Sequence, residues 1–286
     1  MKTIFKKLCP PIIKDCFNLL LQRNIQWTGN YTSWQEAQTN AIGYDPNMFI
    51  HQLVQSAKIA RDDEEKVERD SLIFNRSEVT YPYPLLSNLF AFCTHTQAQS
   101  LFILDLGGSL GSLYYQNRKF LSLLPKFTWN ILEQEQIIQI GKKEFQNHTL
   151  FFHSSYQEAG TRLKASDTKI LVLSSVLQYL EKPFETLKPI LEYFDFDCIL
   201  VDRTPFSTNH QARIAIQKVP KRIYHSSYPC HLFSKHFFLD FFQNFTTSRG
   251  GGYDLFDEFD SYIDCNQKEL FFLGFAFKRR EQCLKN

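Results

Sequence analysis

Asp105-Leu-Gly-Gly-Ser-Leu-Gly111 and Glu133 are the residues whose types and spacing carry the clearest chemistry. An acid closes an apolar run, and a glycine-rich turn then opens a helical stretch at Ser112. Backbone N–H groups and a helix N-terminus meet there, which suits a carboxylate or phosphate. Gly107 and Gly108, followed by Ser109, let the backbone approach a ligand closely, and Gly111 lets the helix start pack on the strand. Glu133 ends the next apolar run, Trp129 to Glu133, with Gln134 beside it. It lies about 20 residues past the last glycine, the interval at which a carboxylate accepts the hydroxyls of a ribose. Alone, Glu133 reads as a surface acid; behind the loop it reads as a ribose ligand. A nicotinamide fingerprint needs a second and third glycine two and five positions after the first. From Gly107 these fall on Ser109 and Ser112, and from Gly108 on Leu110 and Leu113. The loop therefore points to an adenosine-containing cofactor of another kind, with a bare tight turn as the alternative.

The elements that must position these residues begin near residue 95, where the texture changes. Short runs rich in Ile, Leu, Val and Phe predict parallel strands covered on both faces at 101–105, 128–133, 149–153, 169–174 and 198–202. Helical stretches at 112–124, 136–146 and 176–194, the last broken at Pro183, alternate with them. Runs at 253–262 and 269–278, joined by a polar turn at 264–267, predict an antiparallel hairpin. The expected fold class is α/β, a Rossmann-like, doubly wound, mostly parallel sheet with a C-terminal antiparallel hairpin. Residues 1–95 read as a helical N-terminal extension or lid and 96–286 as the sheet domain, with 203–250 an acceptor-site insertion. Within the extension, Ser33-Trp-Gln-Glu36 offers a capping-box start, and 46–68 shows helical spacing with a charged run, Arg61 to Lys66, read as a solvated face. Tyr81-Pro-Tyr-Pro84 breaks the chain before a short apolar helix at 85–93.

The run Ile170 to Leu180 passes from a buried strand through Ser174-Ser175 directly into a helix under the expected cofactor site. Over 101–202 the chain resembles the class I S-adenosylmethionine-dependent methyltransferases. Ser109 stands where many of them have glycine. A narrower resemblance rests on Gly29-Asn-Tyr-Thr-Ser-Trp-Gln-Glu-Ala37, Gly43-Tyr44, Glu68-Arg-Asp-Ser71 with Phe74, Leu104 to Ser112 with Tyr115, Asp202-Arg-Thr-Pro-Phe206 and Ser227-Tyr-Pro229. On these motifs the chain is similar to a bacterial methyltransferase family. The resemblance implies S-adenosylmethionine as cofactor and work on surface polysaccharides or their sugar precursors; O-methylation of a sugar or surface-glycan precursor, with S-adenosylhomocysteine as product, is the expected activity.

Methyl transfer needs an acceptor aligned behind the C–S bond and relieved of its proton. Asp202, at the end of the fifth strand, ranks first as base or substrate anchor, with Arg203 beside it as a substrate residue. His225 and His231 have suitable acidity but carry no positional argument of equal strength, and an ordinary, partly exposed histidine is the preferred reading of each. Arg69 can pair with the methionine carboxylate of the cofactor, or with Asp70 in a structural ion pair. Tyr31 and Trp34 form either an aromatic lid or packing against the core, and Tyr228 is a further substrate candidate. Two rival functions stay open: a nicotinamide-dependent oxidoreductase, and a non-catalytic cofactor-binding scaffold.

Thirty-two Lys and Arg against 30 Asp and Glu leave a formal charge of +2. That provides no global field for nucleic acid. The 28 Phe predict aromatic-rich packing. Seven scattered cysteines, none spaced Cys-x-x-Cys, argue against a disulfide framework or structural zinc and suit a cytoplasmic protein. No metal-ligand spacing is present. The apolar N-terminal stretch is interrupted at Pro10, Pro11, Lys14 and Asp15. No transmembrane segment is therefore expected, while a peripheral membrane contact stays open. Oligomeric state and acceptor identity are not legible.

Overall fold

A computed structural model describes residues 25–43, 46–219, 226–247, 250, 252–261 and 269–280. The chain runs β1 (Gln26–Tyr31), α1 (Trp34–Asn40), α2 (Pro46–Asp62), β2 (Lys66–Arg69), β3 (Leu72–Asn75), α3 (Tyr83–His95), β4 (Ser100–Leu106), α4 (Ser112–Leu121), β5 (Lys126–Leu132), α5 (Glu135–Glu144), β6 (Leu150–His153), α6 (Tyr156–Gly160) and β7 (Thr168–Ser174). It continues through α7 (Pro183–Phe194), β8 (Cys198–Ser207), β9 (Arg213–Val219), β10 (Ser226–Leu232), α8 (Lys235–Asn244), β11 (Tyr253–Asp260) and β12 (Leu270–Arg279).

The seven-stranded sheet has the order β11-β12-β8-β7-β4-β5-β6. β4 to β8 pair in parallel, and β12 runs antiparallel to both β8 and β11. Alternate residues of β4 explain why both faces are covered. Leu101 and Ile103 join a core with Leu53 and Ala57 of α2, Leu89 and Phe92 of α3 and Ile138 of α5. Phe102 and Leu104 join a second core with Leu187 and Leu191 of α7 and Phe238 and Phe242 of α8. Period-two alternation sends each strand into both cores, so these strands are apolar throughout. The abundant Phe pack edge-on and stacked in the second core, as between Phe206 and Phe275 and between Phe242 and Phe277.

This is the doubly wound sheet with a terminal hairpin that the sequence predicts. The chain leaves β4 through β5 and β6 on one side, then crosses back to β7 and β8 on the other. The order therefore reverses between β4 and β7, where ligands enter the crevice at the carboxyl ends of such sheets. Both Asp105 to Gly111 and Ser174-Ser175 lie at that reversal.

Three expectations change. The helix expected over 46–68 stops at Asp62, and Lys66 to Asn75 form a β-hairpin instead. Glu68 and Val67 are buried there, and tertiary burial overrides the local helical spacing. Arg118 donates to the carbonyls of Ala60 and Arg61 and so closes the helix end. Residues 203–207 extend β8 rather than open an insertion. The rest of that segment contributes β9 and β10, which pair with β1 in a three-stranded antiparallel sheet. The capping motif at Ser33 forms in part: Ser33 Oγ accepts from Glu36 N at 3.1 Å, while Glu36 reaches one residue further back, to Thr32. The polar turn at 264–267 lies outside the described residues.

Candidate active site

The glycine loop takes its shape from what lies against it. Gly107 has φ +72°, and a Cβ there would sit 2.5 Å from the Val176 side chain. A Cβ on Gly108 would sit 2.5 Å from the Asp105 carboxylate. Larger residues are therefore excluded by strain at the first position and by collision at both. Gly111 is the N-cap of α4. Beneath the loop, buried Asp105 accepts from the Trp129 indole at 3.0 Å, and burial pushes its carboxyl up to about 7.

Around the loop lies a cavity of about 290 Å³. Arg69, Asp105, Gly107, Gly108, Ser109, Glu133, Gln134, Ser174 and Ser175 all line it, together with Arg203 and Tyr228. An adjoining cavity of about 840 Å³ shares Gly107, Glu133, Gln134, Ser175, Tyr179 and Tyr228 and continues past Leu132, Ser154 to Tyr156, Val176 and Trp34. Glu133 Oε2 accepts from Gln134 N at 2.7 Å, and its carboxylate also accepts from the Ser109 N–H. Burial raises its pKa.

Five of the non-glycine residues with positive φ line the smaller cavity: Asp70, Ser71, Ser109, Ser175 and Arg203. Such conformations cost roughly 1–3 kcal/mol each and persist where surrounding bonds hold them. Asp70 and Ser71 are the two central residues of the β2–β3 turn, with φ +52° and +63°. Glu68 holds that turn by accepting from Ser71 N at 2.7 Å, and its other oxygen takes the Ser112 hydroxyl at the start of α4. Burial pushes Glu68 up to about 7. Gln178 plays the same part on the other side, its Nε2 donating to Ser175 Oγ at 3.0 Å and to the Arg203 carbonyl at 3.3 Å. Sequence reasoning missed Glu68 and Gln178 as site residues. Glu68 stands in a quoted motif, and no local signal distinguishes Gln178 from any buried amide.

Arg203 sits in a bulge: Asp202 and Arg203 on β8 oppose Gly274 alone on β12, between the pairs Val201–Phe275 and Thr204–Leu273. Its freed N–H donates to Asp202 Oδ1 and to Ser261 Oγ, each at 2.9 Å. Asp202 is buried, and burial raises its pKa. It does not line the loop cavity, although its carbonyl takes the Ser175 N–H, and it lines a third cavity, of about 130 Å³, with Arg69, Arg203 and the Tyr81 to Leu85 stretch. Burial, aided by the Arg203 cation, pushes Arg69 down to about 10.

Of the remaining sequence candidates among the described residues, Trp34 and Tyr228 line a cavity and Tyr31 and His231 do not. Tyr31 lines none of these three cavities and covers Gly29 from its place in β1. Trp34 stacks on His231 with ring centroids 4.9 Å apart. His231 Nε2 lies 3.1 Å from the Glu181 carbonyl and the ring borders none of the three cavities. His225 lies outside the described residues. Tyr228 is joined to Tyr179 through Gln217, which accepts from Tyr179 at 3.0 Å and donates to Tyr228 at 3.1 Å. The second sheet thus delivers an aromatic wall to the junction of the two larger cavities.

No protein-family model and no curated protein sequence matches the chain. Among solved structures, it is similar to the N-terminal domain of EvdMO1 in the presence of SAH and D-fucose, at 13% identity over 83% of this chain and 98% of that one, with a TM-score of 0.46. It is also similar to an S-adenosylmethionine-dependent methyltransferase from Clostridium acetobutylicum ATCC 824, at 11% identity over 71% and 93% of the two chains, with a TM-score of 0.41. A third, LepI in complex with SAM, has 11% identity over 82% and 54%, with a TM-score of 0.44. At such distances function has to be argued from the site itself.

Proposed function

We propose that the chain is an S-adenosylmethionine-dependent methyltransferase whose acceptor is a hydroxyl of a sugar or surface-glycan precursor. The observation that carries this reading is the single cavity at the strand-order reversal into which the glycine loop, Glu133 and Arg69 all converge. The residues fit the cofactor. Gly107 and Gly108 line the cavity without side chains, since a Cβ at either would meet Val176 or Asp105 on the protein side. The Arg69 side chain donates to no described residue, its Nε is buried without a partner, and its fork suits the methionine carboxylate. Glu133 suits the ribose hydroxyls, and the larger cavity, walled by Leu132, Tyr156 and Val176, suits adenine.

S-adenosylmethionine supplies a methyl group activated by its sulfonium. The chain's own residues bind and orient. Arg69 would hold the methionine end of the donor and Glu133 its ribose, while Trp34, Tyr179 and Tyr228 offer flat faces and exclude water where an acceptor enters. Asp202, whose Oδ1 already takes Arg203 N and Ser261 Oγ, is a positioning residue that fixes the bulge aiming Arg203, and the proton of the acceptor hydroxyl leaves to solvent. His231 serves Trp34 through their stacking. The test is transfer of labelled methyl from S-adenosylmethionine to a panel of sugars, sugar phosphates and cell-envelope extracts. Label in an alkali-stable sugar ether is the expected result. Binding of S-adenosylhomocysteine with no transfer to any acceptor would instead mark a cofactor-binding scaffold.

A further inference from the structure

Arg69 and Arg203 are planar forks of N–H donors, and neither side chain donates to any described residue. The Nε atoms of both are buried without a partner. The nearest acid to Arg203 Nη2 is Asp70 Oδ2, at 3.8 Å, beyond hydrogen-bond reach. The other nearby carboxylates are occupied. Asp202 Oδ1 takes Ser261 Oγ at 2.7 Å and Arg203 N, and Glu68 takes Ser71 N and Ser112 Oγ. Both arginines line the loop cavity and also the 130 Å³ cavity beyond it, so the forks stand where the two spaces meet. The bulge, its left-handed φ of +54° and the Gln178 bond to its carbonyl all hold the Arg203 backbone in place. Bulges of this kind re-aim a side chain beside active sites. A buried N–H without an acceptor is costly unless a ligand completes it, and the Arg203 side chain, 24% exposed, opens onto the cavity where a ligand can do so.

One donor carboxylate satisfies one fork. We infer that the other serves the acceptor: the substrate carries an oxyanion, a phosphate or a carboxylate, that docks on Arg203 beside the methyl-accepting atom. The sugar substrate is then a sugar phosphate or a sugar acid. This rests on the methyltransferase reading for what the anion belongs to, but not for the anion site itself.

The experiment titrates inorganic phosphate and, separately, acetate into the full chain saturated with S-adenosylhomocysteine, at constant ionic strength set with chloride. Saturable binding of one ion is expected, weakened at least tenfold in R203Q and partly restored in R203K, with circular dichroism checking that both variants fold. The tighter ion names the acceptor group. Equal binding by R203Q and wild type, binding of neither ion, or displacement of the ion by S-adenosylhomocysteine overturns the inference; the last would give both forks to the donor. If the chain does not bind S-adenosylhomocysteine, the cofactor reading fails, and the same titration on the chain alone decides the anion site.

Discussion

Asp105 spends its carboxylate on the Trp129 indole beneath Gly108, a place no surface acid occupies. Its pKa rises from the ordinary value to about 7 on folding, so the folded state holds the proton more tightly than the unfolded chain. Its contribution to stability is full below about pH 4 and falls as pH rises through 7. In urea titrations the stability of D105N relative to wild type should therefore increase between pH 4 and pH 7; a constant difference would contradict the buried carboxyl. Glu133→Ala should weaken S-adenosylhomocysteine binding by about 1–3 kcal/mol by calorimetry, because ribose hydroxyls lose a charged acceptor. Unchanged affinity would return Glu133 to the role of a surface acid. Both residues were legible in the sequence because each ends an apolar run at a telling interval. Glu68 was not: its burial depends on a hairpin that pairs Val67 with Phe74 and a hydroxyl on α4, and no local spacing reports either.

At the scale of elements, the parallel strands were readable because each feeds two cores and so carries an unbroken apolar run. The β2–β3 hairpin was hidden by helical periodicity that continues past Asp62 and by a turn of the wrong residue types. Type I′ turns favour Asn-Gly, whereas Asp70-Ser71 occupies this one, and the Ser71 hydroxyl is buried without a partner. Ser71→Gly removes both the left-handed strain and the unsatisfied hydroxyl. It should raise stability by about 1 kcal/mol in thermal or urea unfolding; a loss of stability would mean that the turn carries no strain. Gly108→Ala should do the opposite, costing about 1–3 kcal/mol as the new methyl displaces the Asp105 carboxylate.

The whole molecule joins distant segments in a way that sequence texture does not announce. β1 belongs to the N-terminal stretch, yet its register is set by β9, far along the chain, at pairs such as Gln26–Lys218 and Trp27–Gln217. Gln217 in turn holds Tyr179 and Tyr228 at the junction of the two larger cavities. The second sheet has its own small core of Trp27, Ala215, Cys230, Leu232, Leu270 and Phe272. Hydrophobic patterning marks such strands weakly, since their partners are far apart in the chain and their faces are split between this core and the site.

In the proposed function the cavity at the β4–β7 reversal holds S-adenosylmethionine rather than a dinucleotide. Calorimetric titration of the full chain with S-adenosylhomocysteine and with NADH tests it most directly. Saturable binding of S-adenosylhomocysteine, weakened by Glu133→Ala, with no binding of NADH, is the predicted result. Tight NADH binding without S-adenosylhomocysteine binding would contradict it.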